Sequence, residues 1–394
     1  MDTSVGTFFV FLFWFSTGAC LYCYVGYPVI LKCLSLFHRN RVSKAEIYPD
    51  VSILIAAYNE EKSIRRKLET ILQQDYPADK IKIFVGSDGS TDDTDEIVQE
   101  VASRSKGRIF LIRNESNLGK NTLYNKIFPL TNKDSILFLS DATSIWPSDL
   151  IRKVVQNFND PLVGAVGVKL CYSNPGEVGK INDQSVVKGQ QNYWEYETFI
   201  RKMESRIFTM IGVSGATFAL RRELYVPVDP SLQEDFVTPL NIIERGYRVV
   251  WEGDTCVFEE TNSSKKDEFG MRVRVATRAF FSIWYKKRLL NLFHYPLISW
   301  QLFSHKLLRL LMPCFLIIIF CSNLFVMRHS PFYLSAFVAQ TLFYGLAVLG
   351  PVLGKRNIKI SQLPYYFTLG NSAYLFALIR FLQGKRYVKW RTVR

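Results

Sequence analysis

Histidine is scarce in this chain: only four occur in 394 residues, and they lie far apart. Of the seven cysteines only Cys20 and Cys23 stand in a CxxC spacing, and they lie inside an apolar run; five in all (Cys20, Cys23, Cys33, Cys314, Cys321) sit in or beside such runs. Zinc centres and disulfide frameworks need clustered ligands or paired thiols, so neither is expected. No GxxxxGK[ST] spacing occurs, which excludes a P-loop. Charge is also thin, at 21% against 48% hydrophobic residues that include 30 Phe and 20 Tyr. That mixture is too apolar for an ordinary soluble chain and too charged for a pure membrane bundle. A composite is expected.

The missing charge is missing in blocks. Thr3 to Leu31, Leu310 to Met327, His329 to Gly354 and Ile360 to Ile379 carry no charged side chain. A bilayer core takes about 20 apolar residues as a helix. The first three runs meet that requirement; the fourth is weaker, containing Gln362, Pro364, Gly370, Asn371 and Ser372. The first run is too long for a signal peptide and lacks its basic leading region. Only Asp2 precedes it, while Lys32, Arg39, Arg41 and Lys44 follow, which places residue 38 onward in the cytosol. Leu307 to Met327 is expected to cross outward and Phe332 to Leu353 to return. Ser361 to Leu382 reads as re-entrant or interfacial, which keeps the tail Lys385, Arg386, Lys389, Arg391 and Arg394 on the cytosolic side. Between 280 and 300, Phe281, Trp284, Leu289, Phe293, Leu297 and Trp300 mix with Lys286, Lys287 and Arg288, a pattern for helices lying in the interface. The expected organisation is an N-terminal transmembrane helix (1–37), a cytosolic α/β domain (38–267), interface helices (268–305), a C-terminal transmembrane region (306–383) and a basic tail (384–394). The net charge of +14 fits attraction to anionic membrane lipids and to a phosphate-rich ligand. No nucleic-acid motif accompanies it, so no nucleic-acid partner is expected.

The middle of the chain alternates short β-like runs with helical patterns. Strands are predicted at 51–57, 81–86, 109–112 and 136–139, and helices at 63–74 and 120–128. This alternation argues for a mostly parallel, Rossmann-like sheet covered by helices, with ligands beyond the strand carboxyl ends. Polar clusters stand at those ends: Tyr58-Asn59-Glu60, Ser87-Asp88-Gly89 and Ser140-Asp141-Ala142. Each has a plain structural reading beside a chemical one. Asp88 sits in a stretch that also reads as a capped turn, with Thr91, Asp92 or Asp93 capping the next helix. Asp141 ends a buried strand, where a carboxylate needs a cap, a partner or a cation. Lys120 follows Gly119 at a helix start and can meet phosphate or water. Glu234-Asp235 opens a helix, as a cap or as a base for an acceptor hydroxyl.

The order of these elements is more specific than any one of them. It runs Ser52-Ile53-Leu54-Ile55-Ala56-Ala57-Tyr58-Asn59-Glu60-Glu61, Gly86-Ser87-Asp88-Gly89-Ser90-Thr91-Asp92-Asp93-Thr94, Asn117-Leu118-Gly119-Lys120-Asn121, Phe138-Leu139-Ser140-Asp141-Ala142-Thr143, Ser214 to Arg222, and Glu234-Asp235-Phe236. Over roughly residues 45 to 285 this resembles the family 2 inverting glycosyltransferases of GT-A fold, especially the membrane-bound bacterial, polysaccharide- and cellulose-synthase-like subset. The resemblance implies a nucleotide diphosphate sugar donor, with uridine the family default, and a lipid-linked or glycan acceptor at the inner membrane. It implies that Ala57, Tyr58 and Glu60 line the nucleoside pocket and that Asp88 recognises the base. Lys120 would lie near the base or diphosphate, and Asp141 would hold Mg2+ or Mn2+. Asp235 would be the general base, with Glu234 beside it. Two departures stand out: Thr143 occupies the third DxD position, and no QxxRW motif appears near Arg274 and Arg278, which could still close over the diphosphate. The readings left open are single sugar transfer, processive synthesis and export of a β-glycan, and a non-catalytic membrane scaffold that kept the fold.

Overall fold

The computed structural model describes residues 3–173, 185–260, 268–352 and 359–389. Asp2, Leu353, the expected boundary at 267, and Arg391 and Arg394 of the tail lie outside them. Helices α1 (Thr3–Leu21) and α2 (Tyr27–Phe37) flank a π-helical turn, Tyr22–Gly26. Then come β1 (Val51–Ala57), α3 (Ile64–Leu72), β2 (Ile81–Asp88), α4 (Thr94–Arg104), β3 (Ile109–Asn114), α5 (Lys120–Ile127), β4 (Ile136–Asp141) and α6 (Leu150–Val155). After these follow β5 (Val163–Ser173), α7 (Ser185–Ile207), β6 (Thr217–Arg221), α8 (Glu234–Glu244) and β7 (Arg248–Glu260). The last stretch holds α9 (Glu268–Tyr285), α10 (Pro296–Gln301), α11 (Leu308–Leu310), α12 (Met312–Val326), α13 (Pro331–Val352) and α14 (Lys359–Leu382).

The chain divides into two compact units, one of Leu31–Ser264 with Tyr387–Arg394, the other of Met1–Ile30 with Lys265–Arg386. The first is built on one seven-stranded sheet in the order β3-β2-β1-β4-β6-β5-β7. The pairs β1–β2, β1–β4, β2–β3 and β5–β7 are parallel, and β6 runs antiparallel to both β4 and β5. All seven residues of β1 are buried, as expected of a central strand with helices on both faces. Helix α3 buries Ile64, Lys67, Leu68 and Ile71, the i, i+3, i+4, i+7 stripe of an amphipathic helix. Ser87 and Asp88 close β2 instead of opening the turn, which starts at Gly89 with φ +73°. Asp92 supplies the cap: its Oδ1 accepts the Thr94 N–H at 3.1 Å and the Thr94 hydroxyl at 2.5 Å.

The second unit is helical. Its aromatic contacts are extensive: Phe9 stacks on Phe325 at 4.1 Å, and Phe381 of α14 meets Phe280 and Phe281 of α9. Two helices among the described residues are long and apolar enough to cross a membrane, Ser4–Phe37 and Pro331–Leu349. The pair Pro296–Leu310 and Met312–Val326, bent by 60°, makes a third if it counts as one broken span. Trp284 and Phe293 of the expected interface region are exposed, and Lys287 sits over the Trp284 ring at 4.6 Å.

Candidate active site

Strand β1 is where the sheet changes direction: the chain passes from β1 to β2 and β3 on one side, then to β4 on the other. Such a switch point opens a crevice at the strand carboxyl ends. Register sets Ala56 beside Asp141 across it. Ala57 is fully buried there, and Tyr58 is half-buried. Asn59 adopts φ 53°, a left-handed conformation that Asn tolerates. Its N–H donates to the Ser90 hydroxyl at 3.1 Å and its Oδ1 accepts the Thr91 N–H at 2.8 Å, tying the loops after β1 and β2 together. The Glu60 carboxylate is buried and accepts the Ser63 hydroxyl at 2.5 Å, just ahead of α3.

Asp88 has no exposed surface. Its Oδ1 accepts from Asn114 Nδ2 at 2.9 Å and from the Leu118 N–H at 3.0 Å, while Oδ2 accepts from the Gly119 N–H at 2.8 Å. Three donors of this kind are what a buried carboxylate requires. Gly119 has φ +95°, and a Cβ there would meet the Val388 carbonyl at 2.6 Å, so only glycine fits without strain. Asp88 therefore fixes the loop that launches Lys120.

Lys120 joins the remaining acids. Its Nζ lies 2.6 Å from Asp141 Oδ1 and 2.6 Å from Glu234 Oε1, and 3.4 Å from the Gly215 carbonyl. Burial opposes its charge, but the carboxylates of Asp141 and Glu234 hold its pKa well above the usual lysine value. Asp235 approaches the same point from the first turn of α8: its Oδ2 lies 3.3 Å from where a Gly215 Cβ would stand. The Asp141 N–H donates to the carbonyl of the next residue, Ala216, at 3.1 Å. Asp141, Glu234 and Asp235 thus gather around Lys120 and Gly215-Ala216, while Asp88 sits one loop behind them. Arg274 and Arg278 lie on α9 in the helical unit, one helical turn apart.

Two site residues escape the sequence reading. Lys67 is fully buried, and its Nζ donates to the hydroxyls of Ser140 at 2.7 Å and Ser144 at 2.8 Å, 4.1 Å from the Trp146 ring centroid. Burial pulls its pKa well below the ordinary lysine value, with Asp141 and Glu259 opposing the shift. Glu259 near the end of β7 is pushed up to about 7, by burial first and then by the charge of Asp141. A polar residue on the apolar stripe of α3 is the signal that could have flagged Lys67; nothing local flags Glu259.

The family model for glycosyl transferase family 2 matches residues 52–226. The chain is 31% identical over 129 residues to the beta-monoglucosyldiacylglycerol synthase of Synechocystis sp., covering 32% of this chain and 26% of that protein. It is 26% identical over 211 residues to the poly-beta-1,6-N-acetyl-D-glucosamine synthase of Staphylococcus aureus, covering 51% and 48%. In both cases the match spans less than half of the relative's length. Among solved structures, the mannosyltransferase PcManGT from Pyrobaculum calidifontis, in complex with GDP-Man and Mn2+, has a TM-score of 0.70 at 20% identity, covering 95% of this chain and 99% of that one. At that identity the likeness concerns the fold. The ordered motifs, the mixed sheet with its acidic rim, and these matches agree: residues 52–226 carry the match to glycosyl transferase family 2, on a GT-A-like fold.

Proposed function

We propose that the chain is an inverting glycosyltransferase, working at the cytosolic face of the inner membrane for cell-surface polysaccharide assembly. Its donor would be a nucleotide diphosphate sugar, with uridine the expected base, and its acceptor a lipid-linked hydroxyl or a glycan. The observation that carries this reading is the Lys120 ammonium bridging Asp141 and Glu234 beside Asp235, at the switch point of the sheet.

Asp141, with Thr143 in place of a second acid, fits a divalent cation only if diphosphate oxygens share its shell. Among the described residues no three His, Cys, Asp or Glu side chains stand close enough to hold an ion alone. When bound, Mg2+ or Mn2+ would offset charge growing on the departing diphosphate. Lys120 supplies a fixed positive charge at the same point. Asp235 is half-buried, and its carboxylate takes the proton of the acceptor hydroxyl, provided the two come within hydrogen-bond reach. The hydroxyl oxygen bonds to the anomeric carbon as the bond from that carbon to the diphosphate oxygen breaks, so the configuration inverts. Glu234, held by Lys120, keeps the ammonium placed. Tyr58 and the loops tied by Asn59 would border the nucleoside.

Transfer and diphosphate release are measured over a panel of nucleotide sugars with Mg2+ or Mn2+, with and without lipid extract. Asp235→Asn is expected to lower transfer at least a hundredfold, since a positioned base contributes about 10²–10⁴, and to leave nucleotide affinity within about twofold. An active Asp235→Asn enzyme would end its role as base. A second reading, processive synthesis, is favoured by the similarity to the poly-beta-1,6-N-acetyl-D-glucosamine synthase. Product length separates them: long ladders from purified enzyme favour polymerisation, single additions favour the first.

A further inference from the structure

The turn Asp141-Ala142-Thr143 offers a hard cation one carboxylate, and strand β7 brings a second to the same turn. Two backbone bonds join them: the Ile145 N–H donates to the Phe258 carbonyl at 2.8 Å and the Phe258 N–H to the Ile145 carbonyl at 2.9 Å. The bridge is antiparallel, so the next residues along are Ser144 and Glu259, whose side chains share one face. Ser144 is already bonded to Asp141, its hydroxyl donating to the Asp141 carbonyl at 3.1 Å, and it binds Lys67 at 2.8 Å. Glu259 interacts electrostatically with Asp141, Lys120 and Lys67. No hydrogen bond or ion pair reaches its carboxylate among the described residues, and the same holds for Asp141 Oδ2, since Lys120 binds Oδ1. Two neighbouring carboxylates without a bonded cation between them are costly to keep charged.

We propose that Glu259 is the second carboxylate ligand of the divalent cation that Asp141 holds against the donor diphosphate, filling the role that Thr143 cannot. This rests on the donor reading above. Carboxylate oxygens from two distant strands, completed by diphosphate oxygens and water, make the oxygen shell that Mg2+ or Mn2+ prefers. Lys67, bonded to Ser140 and Ser144, lies within electrostatic reach of both acids, and each of them favours its charged form. The arrangement also explains why the DxD pattern can lapse at Thr143 here: the second acid comes from a residue more than a hundred positions further on, outside the span of any local motif.

The test is Mn2+ binding, read by electron paramagnetic resonance on the full chain in detergent, with UDP and separately with GDP present. Glu259→Gln is expected to weaken Mn2+ binding at least tenfold while metal-free nucleotide affinity stays within about twofold. Asp141→Asn is the reference and is expected to lose the ion. Glu259→Asp keeps the charge on a shorter arm; it should weaken Mn2+ less than the Gln variant and alter the spectrum, and it stands in if Glu259→Gln does not fold. Mn2+ held by the Glu259 variants as tightly as by the wild type, with Asp141→Asn still defective, overturns Glu259 as a ligand and leaves the donor reading standing. Mn2+ binding untouched by Asp141→Asn, or absent from the wild type, overturns the cation site itself.

Discussion

At the scale of single residues, Lys67 shows how a charge can serve a site without touching a ligand. It is fully buried, yet its donors are taken by two hydroxyls and an aromatic face. Replacing Lys67 by an apolar side chain of similar volume takes a donor away from two buried hydroxyls. Losing a hydrogen bond from a charged donor costs about 1.5–3 kcal/mol. Lys67→Met is therefore expected to lower the melting temperature by several degrees and turnover about tenfold or more, because the hydroxyls of Ser140 and Ser144 beside Asp141 lose a shared donor. Thermal melts beside initial rates check this, and an unchanged rate would confine Lys67 to packing. The acids Asp141, Glu234 and Asp235 and the lysine at 120 were legible because each stands in a short polar cluster at an element boundary. Lys67 and Glu259 were not: one is disguised by its place on an apolar stripe, the other gains meaning only through a strand bridge to Ile145. Asp88, which the resemblance makes a base contact, also holds the loop that leads into Lys120.

At the scale of elements, the first four strands were readable from apolar runs ended by polar residues. Strands β5, β6 and β7 were not, since β6 is only five residues long and the β5–β7 register slips at Val163/Ala165 and Val168/Lys169. The turn after β2 is sensitive to change. Gly89 has φ +73°, and a Cβ there would stand 2.7 Å from the Ser116 Cα. Backbone cannot yield as a side-chain tip can, and a non-glycine residue in that conformation costs about 1–3 kcal/mol. Gly89→Ala is expected to lower the melting temperature by several degrees and to weaken nucleotide binding, because the Ser116 stretch leads into Leu118 and Gly119, which anchor Asp88. A variant that melts like the wild type would show that the turn relaxes freely.

At the scale of the whole molecule, the two or three helices among the described residues that are long and apolar enough to cross a membrane, and a net charge of +14, set separate expectations for salt and for detergent. Surface attraction to anionic lipid is screened within about 3 Å at 1 M salt, whereas a crossing helix is not released by salt. The protein is expected to stay in the membrane pellet through 1 M salt and alkaline carbonate and to leave it only in detergent; release by either wash would count against the spans. The pairing of α1 with α12, seen in the stacking of Phe9 on Phe325, also carries a consequence for biosynthesis. At about 5–20 residues per second, the ribosome delivers Met312 on the order of tens of seconds after Leu21 has emerged. If it inserts as its length and apolar composition allow, the first helix would wait that interval in the bilayer without its companion while the sheet-bearing segment between them is still being made. Quality control in the cell would then meet that helix as a solitary anchor, and any factor that shields lone apolar helices would have its longest opportunity before translation ends.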